Sequence, residues 1–421
     1  MATALKNIIV VGGSYVGKAT AQELAKLVPA ATHRVLLIEP HSHFHHLFAF
    51  PRFAILPGHE HKAFIPYTNL FNSTSPSQTP TTHTVIQARV LSVQPNHVSL
   101  DCEWQASHSD SSSSSSSSAT NVPFDYLVVA TGTKLTEPAG MRDNDKVSSV
   151  AYLQNHQRDI KNANRILIAG GGAVGVQMAT DLKELYPEKE VTVVQSRPYL
   201  MPQYHEKLHE LIKARFDELG IQFITGSRIA IPASGFPTTT PFTVSTTTGT
   251  TLPGKYDFVI LATGQTPNTD LLTSLPSSTS SSSSAPSQSL LNPQNGFIRI
   301  RPTMQFADIQ YPHFFAVGDI ADTGLRKAAR PGNVQAGVVA RNILRLVRGQ
   351  QEALEEFPRA PAGIHLTLGL KYNVVFRNPN EAEGETEPTV IKRDDGREDM
   401  GVEGWWERMG VRINGPQQYH L

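Results

Sequence analysis

Short apolar runs separated by glycine-rich turns and amphipathic stretches recur along this chain. Residues 6–17 form an apolar run that ends in glycines, residues 18–27 have the spacing of a helix, and residues 34–38 form a second apolar run. A strand, a helix and a strand are therefore predicted in that order. Apolar strands that alternate with helices are typical of βαβ units, whose parallel sheet is buried on both faces.

The same order occurs a second time. Residues 165–175 predict a strand and a glycine turn, residues 176–185 a helix, and residues 190–194 a strand. Each copy is followed further along by an apolar strand that ends in Ala-Thr-Gly. Duplication on this scale predicts two dinucleotide-binding domains. The residues that end these two strands at the expected ligand edges are Thr131, Gly132 and Gly264.

Both glycine turns have the composition of a pyrophosphate site. A helix that begins at such a turn offers unpaired N–H groups and the positive end of its dipole to an anion. The second turn has all three glycines of G-x-G-x-x-G, namely Gly170, Gly172 and Gly175. The first turn, from Gly12 to Gly17, has Ser14 at the middle position, which is still small. A tight turn without a ligand is the alternative at each place.

The residue that ends the second strand of each unit indicates which ribose is bound. In the first unit it is Glu39, whose carboxylate can accept hydrogen bonds from both adenosine ribose hydroxyls, as suits FAD or NAD. In the second unit Gln195 stands there and Arg197 follows, so NADPH is permitted as well as NADH. A later strand ends in Gly318-Asp319 before a predicted helix over 331–347. Asp319 can hold a flavin ribitol hydroxyl, and that helix can stabilise negative charge on the reduced ring.

Composition narrows the functional classes. The 421-residue chain carries 37 basic and 37 acidic side chains, so it has no net charge to favour nucleic acid, and no nucleic-acid partner is expected. Its one cysteine, Cys102, excludes an internal disulfide framework, a CxxC pair and a four-cysteine zinc site. Redox chemistry must therefore come from a bound cofactor. No signal for an oligomeric state is found.

The amino-terminal region indicates where the protein is located, and the serine-rich tracts indicate which segments are disordered. The start of the chain enters an apolar strand almost at once, Ala2 excludes N-myristoylation, and no run is long and apolar enough to cross a bilayer. A cytoplasmic protein that is not secreted is expected. The serine-rich stretches at 107–121 and 274–289 are predicted to be disordered loops.

Several stretches together resemble one family of flavoproteins. They include IIVVGGSYVG, SHFHHLFAFPR, ARVLSV, YLVVATGT, ILIAGGGAVGVQMATDLKELYPEKEVTVVQS, FVILATG and FFAVGDIADTGLRKAARPGNVQAGVVARNI, spread over residues 7–346. Their order is similar to that of the two-dinucleotide-binding-domain flavoproteins with the pyridine nucleotide-disulfide oxidoreductase fold. Within these, the chain resembles the apoptosis-inducing-factor-like branch, which includes the ferroptosis suppressor proteins.

The resemblance implies an α/β fold with two Rossmann-like domains, the second inserted in the first, and a small C-terminal α+β segment. The expected domains are an FAD-binding domain over 1–140 and 265–348, an NAD(P)H-binding domain over 141–264, and a segment over 349–421 with no match. Gln177 stands where the family usually has a glutamate. The FAD contacts that the resemblance implies are Gly12, Gly13, Ser14, Tyr15, Val16, Arg52, the backbone around Val90, and Asp319, with Lys327 near the flavin.

Four histidines follow Glu39 within the sequence EPHSHFHH. Extended His41, His43 and His45 could share one face and bind a metal, but no cysteine and only one acid lie nearby, so no metal site is predicted. The tract is interpreted instead as a loop that lines the flavin. His45 and His46 are the candidates for supplying a proton to a second substrate.

The leading hypothesis is an FAD-dependent NAD(P)H oxidoreductase that passes hydride from nicotinamide to flavin N5 and then electrons to a quinone-like small molecule. Disulfide or peroxide reduction through Cys102 is disfavoured. A slow redox-sensing or cell-death effector and a tailoring oxidoreductase of a specialised metabolite remain alternatives. The cluster of Trp405, Trp406 and Met409 could contact a mitochondrial or other intracellular membrane peripherally, although packing against its own domain is the commoner role of such a cluster.

Overall fold

The computed structural model describes residues 5–72, 82–105, 119–238, 241–277 and 289–421. The strands, in chain order, are β1 (Lys6–Val11), β2 (His33–Glu39), β3 (His43–His45), β4 (Phe64–Pro66), β5 (Thr84–Gln87), β6 (Val90–Val93), β7 (His97–Trp104), β8 (Ala119–Pro123), β9 (Tyr126–Val129), β10 (Thr133–Lys134), β11 (Arg165–Ala169), β12 (Glu190–Val194), β13 (Gln222–Ile224), β14 (Phe258–Leu261), β15 (Thr266–Pro267), β16 (Ile298–Arg299), β17 (Phe314–Ala316), β18 (Ala321–Asp322), β19 (Gly363–Thr367), β20 (Asn373–Arg377) and β21 (Thr389–Arg393). The α-helices are α1 (Tyr15–Leu27), α2 (Phe50–Phe53), α3 (Lys146–Asn162), α4 (Ala173–Leu185), α5 (Glu206–Leu219), α6 (Ala329–Val347) and α7 (Glu403–Arg408).

Two parallel sheets form the centre of the fold. The first has the strand order β17-β9-β1-β2-β5 and the second β13-β12-β11-β14. All pairings within both sheets are parallel, and the central strands β1 and β11 are almost entirely inaccessible to solvent. In each sheet the chain runs outward on one side of the central strand and later returns on the other. The ligand crevice of such a sheet lies at this reversal, outside the carboxyl ends of the strands.

The second domain is inserted in the first. Strand β17 pairs with β9 although the whole second sheet lies between them in sequence. The α/β class, the duplication and the insertion predicted from the sequence are therefore confirmed. The predicted helices and strands also lie where expected, although α1 begins at Tyr15 and α4 at Ala173, each three residues earlier than predicted.

Smaller sheets complete the structure. Strands β6, β7 and β8 form an antiparallel sheet beside the first domain, and β19, β20 and β21 form another in the C-terminal segment. Residues 119–121, predicted to end the first serine-rich loop, instead begin β8, because they pair with β7. The remainder of that loop at 107–118, and most of the second, lie outside the described residues.

Candidate functional site

In the first glycine turn the backbone is packed so closely that a side chain would not fit at Gly12 or Gly17. Gly12 has φ +101°, and a Cβ there would lie 2.5 Å from the carbonyl oxygen of Ala130 at the end of β9. A Cβ on Gly17 would lie 1.8 Å from the carbonyl oxygen of Gly12. The turn is thus closed on itself and held against the Ala-Thr-Gly strand end, at the crevice edge.

The second turn repeats this construction. Gly170 has φ +124°, and a Cβ there would lie 2.2 Å from the carbonyl oxygen of Ala262, while one on Gly175 would lie 1.9 Å from that of Gly170. Each turn therefore packs on its own copy of Ala-Thr-Gly. The repeated signals found in the sequence are one structural unit in each domain.

Both helices that leave these turns have uncapped amino ends. Ser14 precedes α1 without a side-chain capping bond, and Gly172 precedes α4 in the same extended conformation. No atom lies within 4 Å of where a Cβ of Gly172 would be. Since the first N–H groups of a helix need partners, both ends fit the phosphates of a dinucleotide.

Glu39 lies beside the first turn, as predicted, and is buried. Its carboxylate accepts hydrogen bonds from the N–H of Gly13, from the N–H of His41 at 3.0 Å and from the His41 ring. A carboxylate offers about four acceptor positions. One is therefore left for a ribose hydroxyl, rather than the two expected. The N–H of Ala88 donates to the Glu39 carbonyl at 3.1 Å, which places the backbone leading to Val90 along the same edge.

The two domains are joined at their ligand edges. Thr131 donates its hydroxyl to the carbonyl of Asn268 at 2.8 Å, and the Asn268 amide donates to the Thr131 carbonyl at 2.9 Å. Gly132, with φ +60°, accepts from the Asn268 N–H, and β10 then pairs antiparallel with β15. This two-stranded ribbon starts where both Ala-Thr-Gly strands end, next to Gly264. The two dinucleotide crevices consequently open toward a common region.

Gly318 and Asp319 lie against the first glycine turn. A Cβ on Gly318, whose φ is +75°, would lie 3.2 Å from Val16, and one on Gly332 in the first turn of α6 would lie 2.3 Å from it. The Gly318 N–H donates to Gln335 of the same helix at 2.7 Å. Burial raises the pKa of Asp319. The structure thus brings the first and third sequence motifs together, which fits a flavin that extends from the turn toward α6.

Lys327 lies on the segment between Asp319 and α6. Its ammonium donates to the Ala321 carbonyl and lies 4.1 Å from the centre of the Phe297 ring. Burial lowers its pKa, and the nearby carboxylates of Asp319 and Asp322 oppose that shift. These contacts give Lys327 a structural role, and its proposed place beside the flavin stays a prediction.

His46 contacts the first glycine turn directly. Its Nδ1 lies 2.8 Å from the hydroxyl oxygen of Tyr15, the first residue of α1. Burial lowers the pKa of His46 to about 3 and raises that of Tyr15. His45 is also buried, its pKa is well below the usual range, and its Nε2 has no partner among the described residues. Both imidazoles are therefore neutral at pH 7, which conflicts with their expected role as acids that supply a proton.

The buried histidines predict a loss of stability in mild acid. Unfolded histidine has a pKa of 6.5, and the folded value for His46 is about 3, so between these values the unfolded chain binds more protons. His46 is expected to lower the free energy of unfolding by roughly 1 kcal/mol at pH 5.5, and His45 acts in the same direction. Urea unfolding at pH 7.5 and 5.5 measures this, and a His46→Gln variant should show a weaker dependence. Equal dependence in both proteins would contradict it.

Trp405 covers this part of the turn. Its ring centre lies 5.0 Å from those of both Tyr15 and His46, and Arg408 stacks on it at 4.9 Å. Trp406 and Met409 are fully buried. Trp406 and Met409 therefore have the packing role that is commoner for such a cluster, whereas a peripheral membrane contact through the half-buried Trp405 stays a prediction. Sequence reasoning missed that the C-terminal segment forms part of the site, although the clustered aromatic residues were a signal.

Arg52 differs most from its expected role. Its guanidinium is fully buried and makes a bidentate pair with Asp181 of α4, with both distances 2.9 Å. Its other N–H groups donate to the carbonyls of Gly369, Leu370 and Arg397 in the C-terminal segment. All five guanidinium N–H groups are thus used within the protein. Arg52 has none left for FAD, and it links three parts of the chain instead.

Gln195 follows β12 beside the second turn, and its side chain bonds to its own loop. Its Oε1 accepts from the Ser196 N–H at 3.0 Å, and its Nε2 donates to the Tyr199 carbonyl at 3.3 Å. Arg197 is exposed. The second ribose position therefore has no carboxylate. Gln177 on α4 is buried and lies close to Asp181, on the face of α4 that meets Arg52.

A metal site, a reactive thiol and a membrane-spanning helix were each sought among the described residues. Within them, no group of three or more histidine, cysteine, aspartate or glutamate side chains could hold a metal ion. Cys102 is exposed on β7, and its pKa is raised by slight burial and by Asp101, which disfavours the reactive thiolate. Among the same residues no helix has the length and apolar character required to span a bilayer.

Two domains of this topology, each with a glycine turn on an Ala-Thr-Gly strand end, define a protein with two dinucleotide-binding sites. Residues 6–340 match the family described as pyridine nucleotide-disulphide oxidoreductase, and the chain belongs to this family. Membership implies FAD and NAD(P)H as ligands. The uncapped helix ends, the open space at Gly172 and the position of Glu39 fit both.

Named relatives refine the comparison. The chain is 32% identical to Fe-regulated protein 8 of Mycosarcoma maydis over 96% of its own length and 95% of the relative. It is 31% identical to the FAD-dependent oxidoreductase FVFD30 of Flammulina velutipes over 69% of this chain and 78% of that protein. Ferroptosis suppressor protein 1 of Mus musculus is 26% identical, with 87% of each chain covered. The resemblance to the apoptosis-inducing-factor-like branch is confirmed.

A solved structure shows the same fold. The sulfide:quinone oxidoreductase of Aquifex aeolicus superposes with a TM-score of 0.70 at 17% identity, covering 98% of this chain and 94% of that one. The C-terminal segment, which had no trusted match in the sequence, is included in this coverage.

Proposed function

We propose that the protein is an FAD-dependent NAD(P)H oxidoreductase that passes electrons to a quinone-like acceptor. The observation that carries the proposal is the convergence of both dinucleotide crevices on the β10–β15 ribbon, with Gly318 and α6 closing the first crevice. When bound, FAD would supply the redox chemistry between the nicotinamide and the second substrate. The sequence relationship to an FAD-dependent oxidoreductase supports the cofactor.

The protein's own groups bind and orient the two dinucleotides. The free N–H groups at the start of α1 and α4 would hold the two pyrophosphates, and Glu39 would hold the first ribose. Asp319 would hold the ribitol, and the amino end of α6 would stabilise negative charge on the flavin ring. The cover formed by Trp405 shields the Tyr15–His46 pair from water. This pair can relay a proton but, being neutral, does not store one.

Surface chemistry beside the first turn favours a planar apolar acceptor. Phe48 is 49% exposed and stacks on Tyr15 with ring centres 4.6 Å apart, and the half-buried Trp405 makes an edge contact with Tyr15 at 5.0 Å. Flat aromatic surfaces bind flat rings well. A disulfide acceptor would need a reactive cysteine, and the chain has only Cys102.

Spectroscopy tests the proposal directly. Purified protein is expected to be yellow, to be bleached anaerobically by NADH or NADPH, and to regain its colour on addition of a short-chain quinone. Glutathione disulfide and hydrogen peroxide should reoxidise it poorly. The Cys102→Ala variant should behave like the parent protein.

Three results would contradict the proposal. Folded protein without colour would remove FAD from the account. Loss of turnover in Cys102→Ala would point to thiol chemistry. A reduced protein that no quinone reoxidises would favour the slow redox-sensing alternative.

A further inference from the structure

We infer that the second dinucleotide site selects NADPH over NADH, and that Arg197 and Arg228 together hold the phosphate on the 2′ position of the adenosine ribose. This rests on the proposed function in assigning a nicotinamide nucleotide to the second turn. It goes further by naming the preferred nucleotide and the residues that determine this specificity.

Backbone pairing places the two arginines on neighbouring segments. The parallel pairing of β12 with β13 continues past the strand ends, because the Gln195 N–H donates to the Ile224 carbonyl at 2.8 Å and the Gly226 N–H to the Arg197 carbonyl at 2.9 Å. The Ser227 N–H also donates to the Gln195 carbonyl at 3.0 Å. Arg197 and Arg228 thus follow adjacent strands at the same edge of the sheet.

The loop that carries Arg197 returns to the glycine turn. The Met201 N–H donates to the Gly171 carbonyl at 2.9 Å, and a Cβ on Gly171 would lie 2.4 Å from the side chain of Leu200. In a Rossmann-like domain the adenosine ribose lies between this turn and the end of the second strand. The Arg197 loop therefore borders the position expected for the ribose.

The charges at this edge favour a phosphate. Glu39 in the first domain packs against Gly13, whereas the equivalent residue against Gly171 is the neutral Gln195, whose amide is occupied by Ser196 and Tyr199. A 2′-phosphate therefore meets a neutral side chain at this position and is not repelled by a carboxylate.

Arg197 and Arg228 are both exposed, and neither forms an ion pair with another described residue. Guanidinium groups that are free of ion pairs suit the multiple hydrogen bonds that a phosphate accepts.

Calorimetry with fragments of the nucleotide separates this inference from turnover. The flavin-loaded protein is titrated with 2′,5′-ADP and with 5′-AMP, which differ in the 2′-phosphate alone. We expect 2′,5′-ADP to bind at least about 10-fold more tightly, since hydrogen bonds to charged groups have this magnitude. NADPH should likewise bleach the flavin at lower concentration than NADH.

Two variants locate the effect. Arg197→Glu/Arg228→Glu should weaken 2′,5′-ADP binding by roughly 10- to 100-fold and leave 5′-AMP binding unchanged. Gln195→Glu, which restores the carboxylate, should also shift the preference toward NADH. Arg158→Glu is the matched control, since α3 leads into the opposite, amino end of β11.

The outcome that would overturn NADPH selection differs from the outcome that would also overturn the proposed function. Equal binding of the two fragments, or unchanged 2′,5′-ADP binding in the double variant, would overturn NADPH selection while leaving the oxidoreductase proposal standing. A protein that binds neither fragment and is bleached by neither nucleotide would overturn both.

Discussion

Gly17→Ala is expected to yield a protein that no longer retains FAD, whereas Gly175→Ala should stay yellow and lose reduction by nicotinamide nucleotides. Each new methyl group would lie under 2 Å from a carbonyl oxygen of its own turn, so the turn must open and its N–H groups move away from the phosphates. We expect each change to weaken its own ligand at least tenfold, or about 1.4 kcal/mol.

The flavin absorbance of protein purified by gel filtration measures the first effect, and anaerobic titration with NADPH measures the second. Gly404→Ala is the control, because no atom lies within 4 Å of where its Cβ would be. If both turn variants lost flavin equally, the assignment of one cofactor to each turn would be wrong.

Arg52→Met is expected to destabilise the whole protein rather than to remove FAD selectively. The substitution leaves Asp181 buried without its partner and three carbonyls without their donor. Breaking a buried ion pair costs about 3–5 kcal/mol. Urea unfolding at one fixed excess of FAD measures the loss, and a separate titration of FAD affinity gives the part that comes from cofactor binding.

The matched control is the double variant Arg52→Met/Asp181→Leu, which removes both charges. It should recover much of the stability, since apolar pairs of similar volume often replace buried ion pairs at little cost. A single variant of normal stability with weakened FAD affinity would instead restore the role that the resemblance implied.

Local signals in the sequence were enough to predict the two parallel sheets and their glycine turns. The apolar runs and glycine turns locate both parallel sheets because backbone geometry at Gly12 and Gly170 admits no side chain, and that requirement is visible in the residue type. The Ala-Thr-Gly repeats were also informative, since each turn packs on its own copy.

Side-chain roles that depend on distant partners could not be predicted in this way. Arg52 is near the first site in sequence, but its partners come from α4 and from residues 369–397. The neutrality of His46 depends on burial beneath Trp405, which lies far away along the chain. Glu39 was placed correctly, but its bonds to His41 follow from a loop conformation that periodicity does not specify.

The ribbon of β10 and β15 gives the second domain an entrance and an exit that lie side by side. A module attached in this way can be exchanged between related proteins as a cassette, because the host needs to join only two adjacent backbone ends. The exchange carries one condition. An incoming module must bring a carboxylate at the position of Asp181, or the recipient is left with a buried, unpaired guanidinium at its centre. A chimera of this chain whose incoming module lacks that carboxylate would therefore lose stability whatever the properties of its nucleotide site.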